Sequence, residues 1–314
     1  MLTRETMRGL YALPPTPFTE SGELWEEAFR ENLRTLISFN VDAIITPGSN
    51  GEWWSEDDAQ RRHHLELLAE ECRGKVVCAA CTSSTYTEDS IAWTQLAQEL
   101  GLDAVLNVPP FYYPLEREEL RRYWHSLAEA CPDIGLMIYN FPLVAQACPE
   151  DLQRQLADEI PAVCGSKESH RDFNRWMRLH RMTDLAVFAA FDRGWYTACY
   201  RQGAKGIFST LVASMPGLVS QLHQACVAAD WETAERLEAD VWALAEMIEG
   251  LDYLKPYNPI AKNKALVNAA GHLQGGACRP PLISVPTELI GRLRRDLEKR
   301  FQPWLAPSEQ AVAS

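Results

Sequence analysis

A lysine that closes an apolar run is either a solvated surface charge or an amine nucleophile, and Lys167, which follows Ala162-Val163-Cys164-Gly165-Ser166, poses that choice. Its company decides it. Three other segments carry residues of compatible chemistry. In Pro47-Gly48-Ser49-Asn50-Gly51-Glu52 the glycines permit a tight turn, and the Ser49 and Asn50 amides can point at an anion. Tyr112 sits in the proline-stiffened loop Pro109-Pro110-Phe111-Tyr112-Tyr113-Pro114. Tyr139, in Tyr139-Asn140-Phe141-Pro142, offers a phenol able to relay protons. Taken singly, each reads as ordinary structure: a surface charge, a turn, a packed tyrosine.

What these segments share is their place in the elements that carry them. Eight short apolar runs, at residues 10–13, 42–46, 76–81, 104–108, 134–139, 162–166, 185–190 and 206–209, are each followed by an amphipathic stretch. Residues 24–39, 55–71, 90–100 and 116–130 are the clearest helices. Such alternation predicts parallel strands with crossover helices, and eight units predict a closed (β/α)8 TIM barrel over residues 1–215. A two-domain, doubly wound arrangement is the alternative, but no linker-like composition shift divides the segment. From residue 216 the pattern is purely helical, at 218–228, 231–250, 263–270 and 287–301 with a proline-broken piece at 255–260, which predicts a helical cap over 216–305. Residues 306–314 are small and polar and read as a flexible tail. The four marked segments then fall at the C-terminal ends of strands 2, 4, 5 and 6, the face where barrel loops build active sites.

The composition narrows the function class. A net charge of −13 with scattered basic residues is no nucleic-acid footprint, which leaves small molecules as the expected partners. Neither a signal-peptide apolar region beside Arg4 and Arg8 nor a run long enough to span a membrane is present, and the chain reads as cytoplasmic. The nine cysteines are odd in number and lack a disulfide framework, so reduced core thiols are expected. Cys78-x-x-Cys81 has no second pair to complete a metal or redox site, and no cofactor is expected.

The order Gly-Ser-Asn-Gly-Glu, Pro-Pro-Phe-Tyr-Tyr-Pro, Tyr-Asn-Phe-Pro and Gly-Ser-Lys-Glu resembles the pyruvate-dependent class I aldolases related to dihydrodipicolinate synthase and N-acetylneuraminate lyase. With Pro14-Pro15-Thr16-Pro17-Phe18 and Asn258-Pro259-Ile260, the resemblance spans nearly the whole chain. It implies that Lys167 forms a Schiff base with a 2-keto acid, which requires the neutral amine that a desolvated pocket favours. It also implies that Tyr139 transfers protons, with the Ser49 hydroxyl and a neighbouring subunit's Tyr112 completing the relay. Gly48, Ser49 and Asn50 would cradle the pyruvate carboxylate, and Ile207, through its backbone carbonyl, and Ser209 would line the same pocket. The resemblance further implies a homotetramer built as a dimer of dimers.

Three departures bear on the second substrate. Val144 stands where dihydrodipicolinate synthases carry a carboxylate-binding Arg; losing such a charge-assisted contact costs about 1.5–3 kcal/mol, which argues against that activity. Asp192 is kept from the hydroxyl-binding Asp-Glu pair of the sialic acid lyases, but Arg193 replaces the Glu and is expected either to face a second carboxylate or to pair with Asp192 or Glu52. Trp53 and Trp54 are bulkier than the resemblance implies, and suit an aromatic or apolar aldehyde. The leading reading is C–C bond making or cleavage between pyruvate and an aldehyde. The alternatives are a dehydratase of a 2-keto-3-deoxy sugar acid, a hydratase-aldolase acting on a benzylidene-pyruvate, and a keto-acid-binding regulatory protein without turnover.

Overall fold

The computed structural model describes residues 1–190 and 192–307; Phe191 and residues 308–314, most of the expected tail, lie outside the described residues. Each expected apolar run holds a strand: β1 (Gly9–Ala12), β2 (Ala43–Ile45), β3 (Val77–Cys81), β4 (Ala104–Asn107), β5 (Gly135–Asn140), β6 (Val163–Glu168), β7 (Ala186–Ala189) and β8 (Gly206–Ser209). They form one eight-stranded sheet in the order β7-β6-β5-β4-β3-β2-β1-β8. Every pairing is parallel, and β7 packs against β8 to close the ring. Strands covered on both faces become short, continuously buried runs. That is why these segments are apolar without alternation.

The two faces feed two cores. Leu10, Ile44, Leu136, Ile138 and Ile207 point outward into the layer between strands and helices. Tyr11, Leu106, Met137, Phe188 and Phe208 point inward. Tyr11 meets Phe188 and Phe208 edge to face, with ring centroids 5.2 Å apart in each case, so the barrel interior is a packed aromatic floor.

β6 differs from the sequence expectation in a way that matters. The apolar run stops at Ser166, but the strand continues through Lys167 and one residue further to Glu168, so Lys167 is the last residue but one of β6. A register shift between Leu136 and Met137 leaves Cys164 as the extra residue on β6. Beyond it, Tyr139 pairs with Lys167 and Asn140 with Glu168. Gly165 is required here: a Cβ would lie 2.3 Å from the Met7 sulfur.

The C-terminal third forms helices Pro216–Val227, Trp231–Gly250, Pro259–Ala270 and Thr287–Phe301. Asn258 caps the third, accepting a 2.9 Å bond from the Ile260 amide with Pro259 in the first turn, and Gly271 ends it at φ 83°. This layer is bolted to the barrel by Glu52, buried at the end of the Gly-Ser-Asn-Gly-Glu segment. Its carboxylate lies 2.5 Å from the equally buried Lys264 ammonium and accepts 2.9 Å from the Arg279 amide. Burial holds the Lys264 amine below its ordinary range, against the pull of Glu52. Ala306, expected in the flexible tail, is buried and donates its amide to the Ala270 carbonyl at 3.0 Å. No helix among the described residues is long and apolar enough to cross a membrane.

A buried pair of this kind leaves an uncompensated charge when one partner is removed. Glu52→Gln and Lys264→Met are each expected to destabilise by about 3–5 kcal/mol, and the double variant by less than the sum. Urea denaturation of the three variants checks this; additive losses would show that the two charges do not depend on each other.

Candidate active site

Because strand residues alternate, the in-register pairs of β5 and β6 send Tyr139 and Lys167 to one side and Asn140 and Glu168 to the other. On the inner side the Lys167 Nζ lies 3.9 Å from the centroid of the Tyr139 ring and 5.5 Å from that of Phe208. Phe141 stacks on Tyr139, with centroids 5.2 Å apart at an interplanar angle of 1°. Lys167 is 5% exposed, and among the described residues no carboxylate forms an ion pair with it. Its amine opens onto a cavity of about 480 Å³ that Tyr139, Ser49 and Asn50 also line. That volume suits a small organic molecule.

On the outer side the Glu168 carboxylate is surrounded by donors. The buried Glu168 carboxylate accepts from Asn140 Nδ2 at 2.7 Å, Gln153 Nε2 at 2.9 Å, Ser166 Oγ at 3.0 Å and Arg175 Nε at 3.3 Å. Asn140 Oδ1 in turn accepts from the Cys148 amide at 3.2 Å, and Arg175 reaches Glu150 at 2.7 Å. A strand can carry Ser and Glu through a protein layer only when such partners meet them. The network fixes the strand ends whose other face carries the amine and the phenol.

The turn expected to cradle an anion lies at the end of β2. Ser49–Gly51 form one turn of 3-10 helix followed by Glu52 in the left-handed region at φ 58°. A Cβ on Gly51 would lie 2.8 Å from the Thr16 hydroxyl, which accounts for that glycine. Gly48, Ser49 and Asn50 face Tyr139 and Lys167 across a recess floored by Ile45 and Leu106.

The structure brings Lys167, Tyr139, Ser49, Asn50 and Gly48 together, while the other predicted site residues lie elsewhere. Tyr112 is 87% exposed and does not approach Lys167 within its own chain. Val144 is half-exposed in the turn after Phe141, outside the cavity lining. Trp53 turns to Phe111, with centroids 6.2 Å apart, and to the Arg61 guanidinium at 4.9 Å, and leaves the cavity wall to others. The Ile207 side chain packs between strands and helices, and the expectation for this residue concerns its backbone carbonyl, within β8.

The strand-7 and strand-8 residues are held by one another. Ser209 Oγ donates to Asp192, which also accepts from the Thr210 amide at 3.1 Å, the Thr210 hydroxyl at 3.0 Å and the Leu211 amide at 3.1 Å. Burial pushes the Asp192 carboxyl up in spite of these bonds. Arg193 pairs with neither Asp192 nor Glu52; its Nη2 lies 2.5 Å from Glu249, which holds the guanidinium above its ordinary range, and it lies over Trp242 at 5.5 Å. Asp192 and Arg193 line a neighbouring cavity of about 330 Å³ under helix Trp231–Gly250. Cys78 and Cys81 are buried and turn to different partners, Asp103 and Ser83, and burial pushes the Cys78 thiol up to about 12.

Sequence reasoning passed over the outer wall of the Lys167 cavity. Its further polar lining is Ser169, His170, Arg171 and Thr210, and its further apolar lining includes Phe141, Pro142, Leu143 and Ala190. The signal was available in the run Lys167-Glu168-Ser169-His170-Arg171-Asp172. The following helix, Phe173–Met182, begins after Asp172, whose carboxylate caps it, so the three preceding residues form the loop at the mouth.

Comparison with known proteins agrees with this architecture. The dihydrodipicolinate synthetase family model matches residues 6–300. An uncharacterised DapA-like lyase of Rhizobium meliloti is 27% identical over 312 residues, covering 95% of this chain and 98% of that protein. A 4-hydroxy-tetrahydrodipicolinate synthase of Porphyromonas gingivalis is 27% identical over 307 residues, covering 95% and 100%. The sialic acid aldolase of Ruminococcus gnavus, solved as a catalytic lysine mutant, superposes with a TM-score of 0.85 at 21% identity, covering 97% and 100%. With the barrel and a family match over almost its whole length, the chain belongs to the dihydrodipicolinate synthetase family and is a pyruvate-dependent lyase of the class I aldolase type.

Proposed function

We propose that Lys167 condenses with the keto carbon of pyruvate or a related 2-keto acid, and that the enzyme makes or cleaves a C–C bond between that acid and an aldehyde. One observation carries the reading: a nearly buried amine over the ring of a strand-end tyrosine, in a cavity shared with the Ser49 and Asn50 turn. The Lys167 amine adds to the ketone and one water leaves, giving an iminium. Loss of a C3 proton converts it to an enamine, which attacks the aldehyde carbon. The new alkoxide takes a proton, and water then releases the product and restores the amine. Tyr139 is the proton carrier, with the Ser49 hydroxyl beside it, and the Gly48–Asn50 turn receives the 2-keto acid's carboxylate.

Tyr112, exposed on its stiffened loop, completes the relay of a neighbouring copy in a homotetramer. Residues 1–215 act as the catalytic barrel, and residues 216–305 as a cap held through Glu52. The loop after β5 offers no cation, since Val144 stands there, and this supports an aldehyde other than that of the dihydrodipicolinate-synthase reaction. The R. gnavus protein, with its catalytic lysine, and the lyase of R. meliloti support the same class.

Borohydride reduction in the presence of pyruvate, followed by mass spectrometry, is expected to give an adduct on Lys167 that Lys167→Ala abolishes; a wild-type protein without the adduct overturns the reading. Tyr139→Phe is expected to lower kcat by about 10²- to 10⁴-fold, the size of a lost acid-base contribution. Arg193→Ala removes a surface ion pair and is expected to cost less than about 1 kcal/mol. Its KM for aldehyde should stay within about twofold, because Glu249 already holds the guanidinium. A large rise in KM confined to carboxylate-bearing aldehydes would show that Arg193 leaves Glu249 for the substrate.

A further inference from the structure

The loop between β6 and the following helix is pinned at both ends. Glu168 is held by its four partners, the Ser169 amide donates to the Asn140 carbonyl at 2.9 Å, and Asp172 caps the helix through the Asn174 amide at 2.9 Å. Between these anchors Ser169, His170 and Arg171 line the Lys167 cavity. His170 stands out among them. Its Nδ1 is buried and, among the described residues, meets no hydrogen-bond partner. Its Nε2 is not among the buried unpartnered atoms and makes no bond among the described residues, so it is the nitrogen open to solvent and ligand.

The tautomer follows from this arrangement. A buried N–H without an acceptor costs more than a bare lone pair, so the neutral ring carries its proton on Nε2. That puts an N–H donor on the wall of the cavity that Phe141, Pro142 and Leu143 also line.

Resting on the Schiff-base reading of Lys167, we propose that His170 is a specificity-determining residue: its Nε2–H selects an aldehyde that carries an oxygen acceptor, a hydroxyl or carboxylate, beyond the reacting carbon. The aromatic residues expected to shape this end, Trp53 and Trp54, do not line the cavity, whereas the β6 loop and Thr210 give it polar lining. An unsubstituted aromatic aldehyde would leave the donor without a partner, and a site built to hydrogen-bond its ligand discriminates strongly against analogues that lack the group.

The test compares glyceraldehyde, succinic semialdehyde and benzaldehyde, each with pyruvate, on the wild type, His170→Ala and His170→Asn, with borohydride trapping on Lys167 and thermal melting measured for all three proteins. The wild type is expected to favour either oxygen-bearing aldehyde over benzaldehyde by at least about tenfold in kcat/KM, the worth of one hydrogen bond. His170→Ala should erase that preference through KM, and His170→Asn, which keeps an N–H donor, should restore most of it. A trapped adduct with no preference, with a preference for benzaldehyde, with a preference that survives in His170→Ala, or with none of the three aldehydes accepted overturns the assignment of His170. Absence of the adduct in the wild type overturns the Schiff-base reading itself, so the two failures are distinguishable.

Discussion

The site depends on a carboxylate that faces away from it. Glu168 follows Lys167 directly, and its four hydrogen bonds in the outer layer, one of them the ion pair with Arg175, hold the last residues of β5 and β6 in place. Without those partners a buried Glu at the end of an apolar strand would be driven toward water, and the strand would end earlier. With them, pleating does the rest. Two polar residues turned outward oblige their neighbours, Tyr139 and Lys167, to turn inward and meet above Phe208. The same network fixes the start of the loop that carries His170.

A second constraint ties the helical layer to the turn after β2. Glu52 closes the turn that presents Ser49 and Asn50, and its charge is matched by Lys264 from helix Pro259–Ala270. Arg279 adds bonds to the Ser55 carbonyl at 2.8 Å and the Gly22 carbonyl at 2.6 Å. The C-terminal helices therefore hold the β2 loop in shape besides covering apolar surface. Precise placement of groups around a reacting carbon needs such support from behind.

Polar groups around the mouth divide into those satisfied by the fold and those left for a ligand. Asp192, Ser209 and Arg193 find their partners within the protein. Ser49, Asn50 and His170 face open space. A recognition surface consists of the second kind, because a group already desolvated and bonded gains little from a newcomer.

Much of this was legible in the sequence. The eight apolar runs, each followed by a helical period, gave the barrel, and the position of Lys167, Tyr139 and the Ser49–Asn50 turn at strand ends gave the inner half of the site, because strand pleating and βα order are local properties. The outer half is not legible in spacing: Arg193, expected to face a substrate carboxylate or to pair with Asp192 or Glu52, lies against Glu249, 56 residues on. Glu52 accepts from an amide 227 residues away, and Asp192 from a strand end 17 residues away. The sequence alone thus determined which residues could do chemistry and on which face of a strand they stand. Which polar groups neutralise each other, and which remain open to substrate, was decided only by the tertiary structure, since hydrogen bonds and ion pairs act over a few ångströms whatever the separation along the chain.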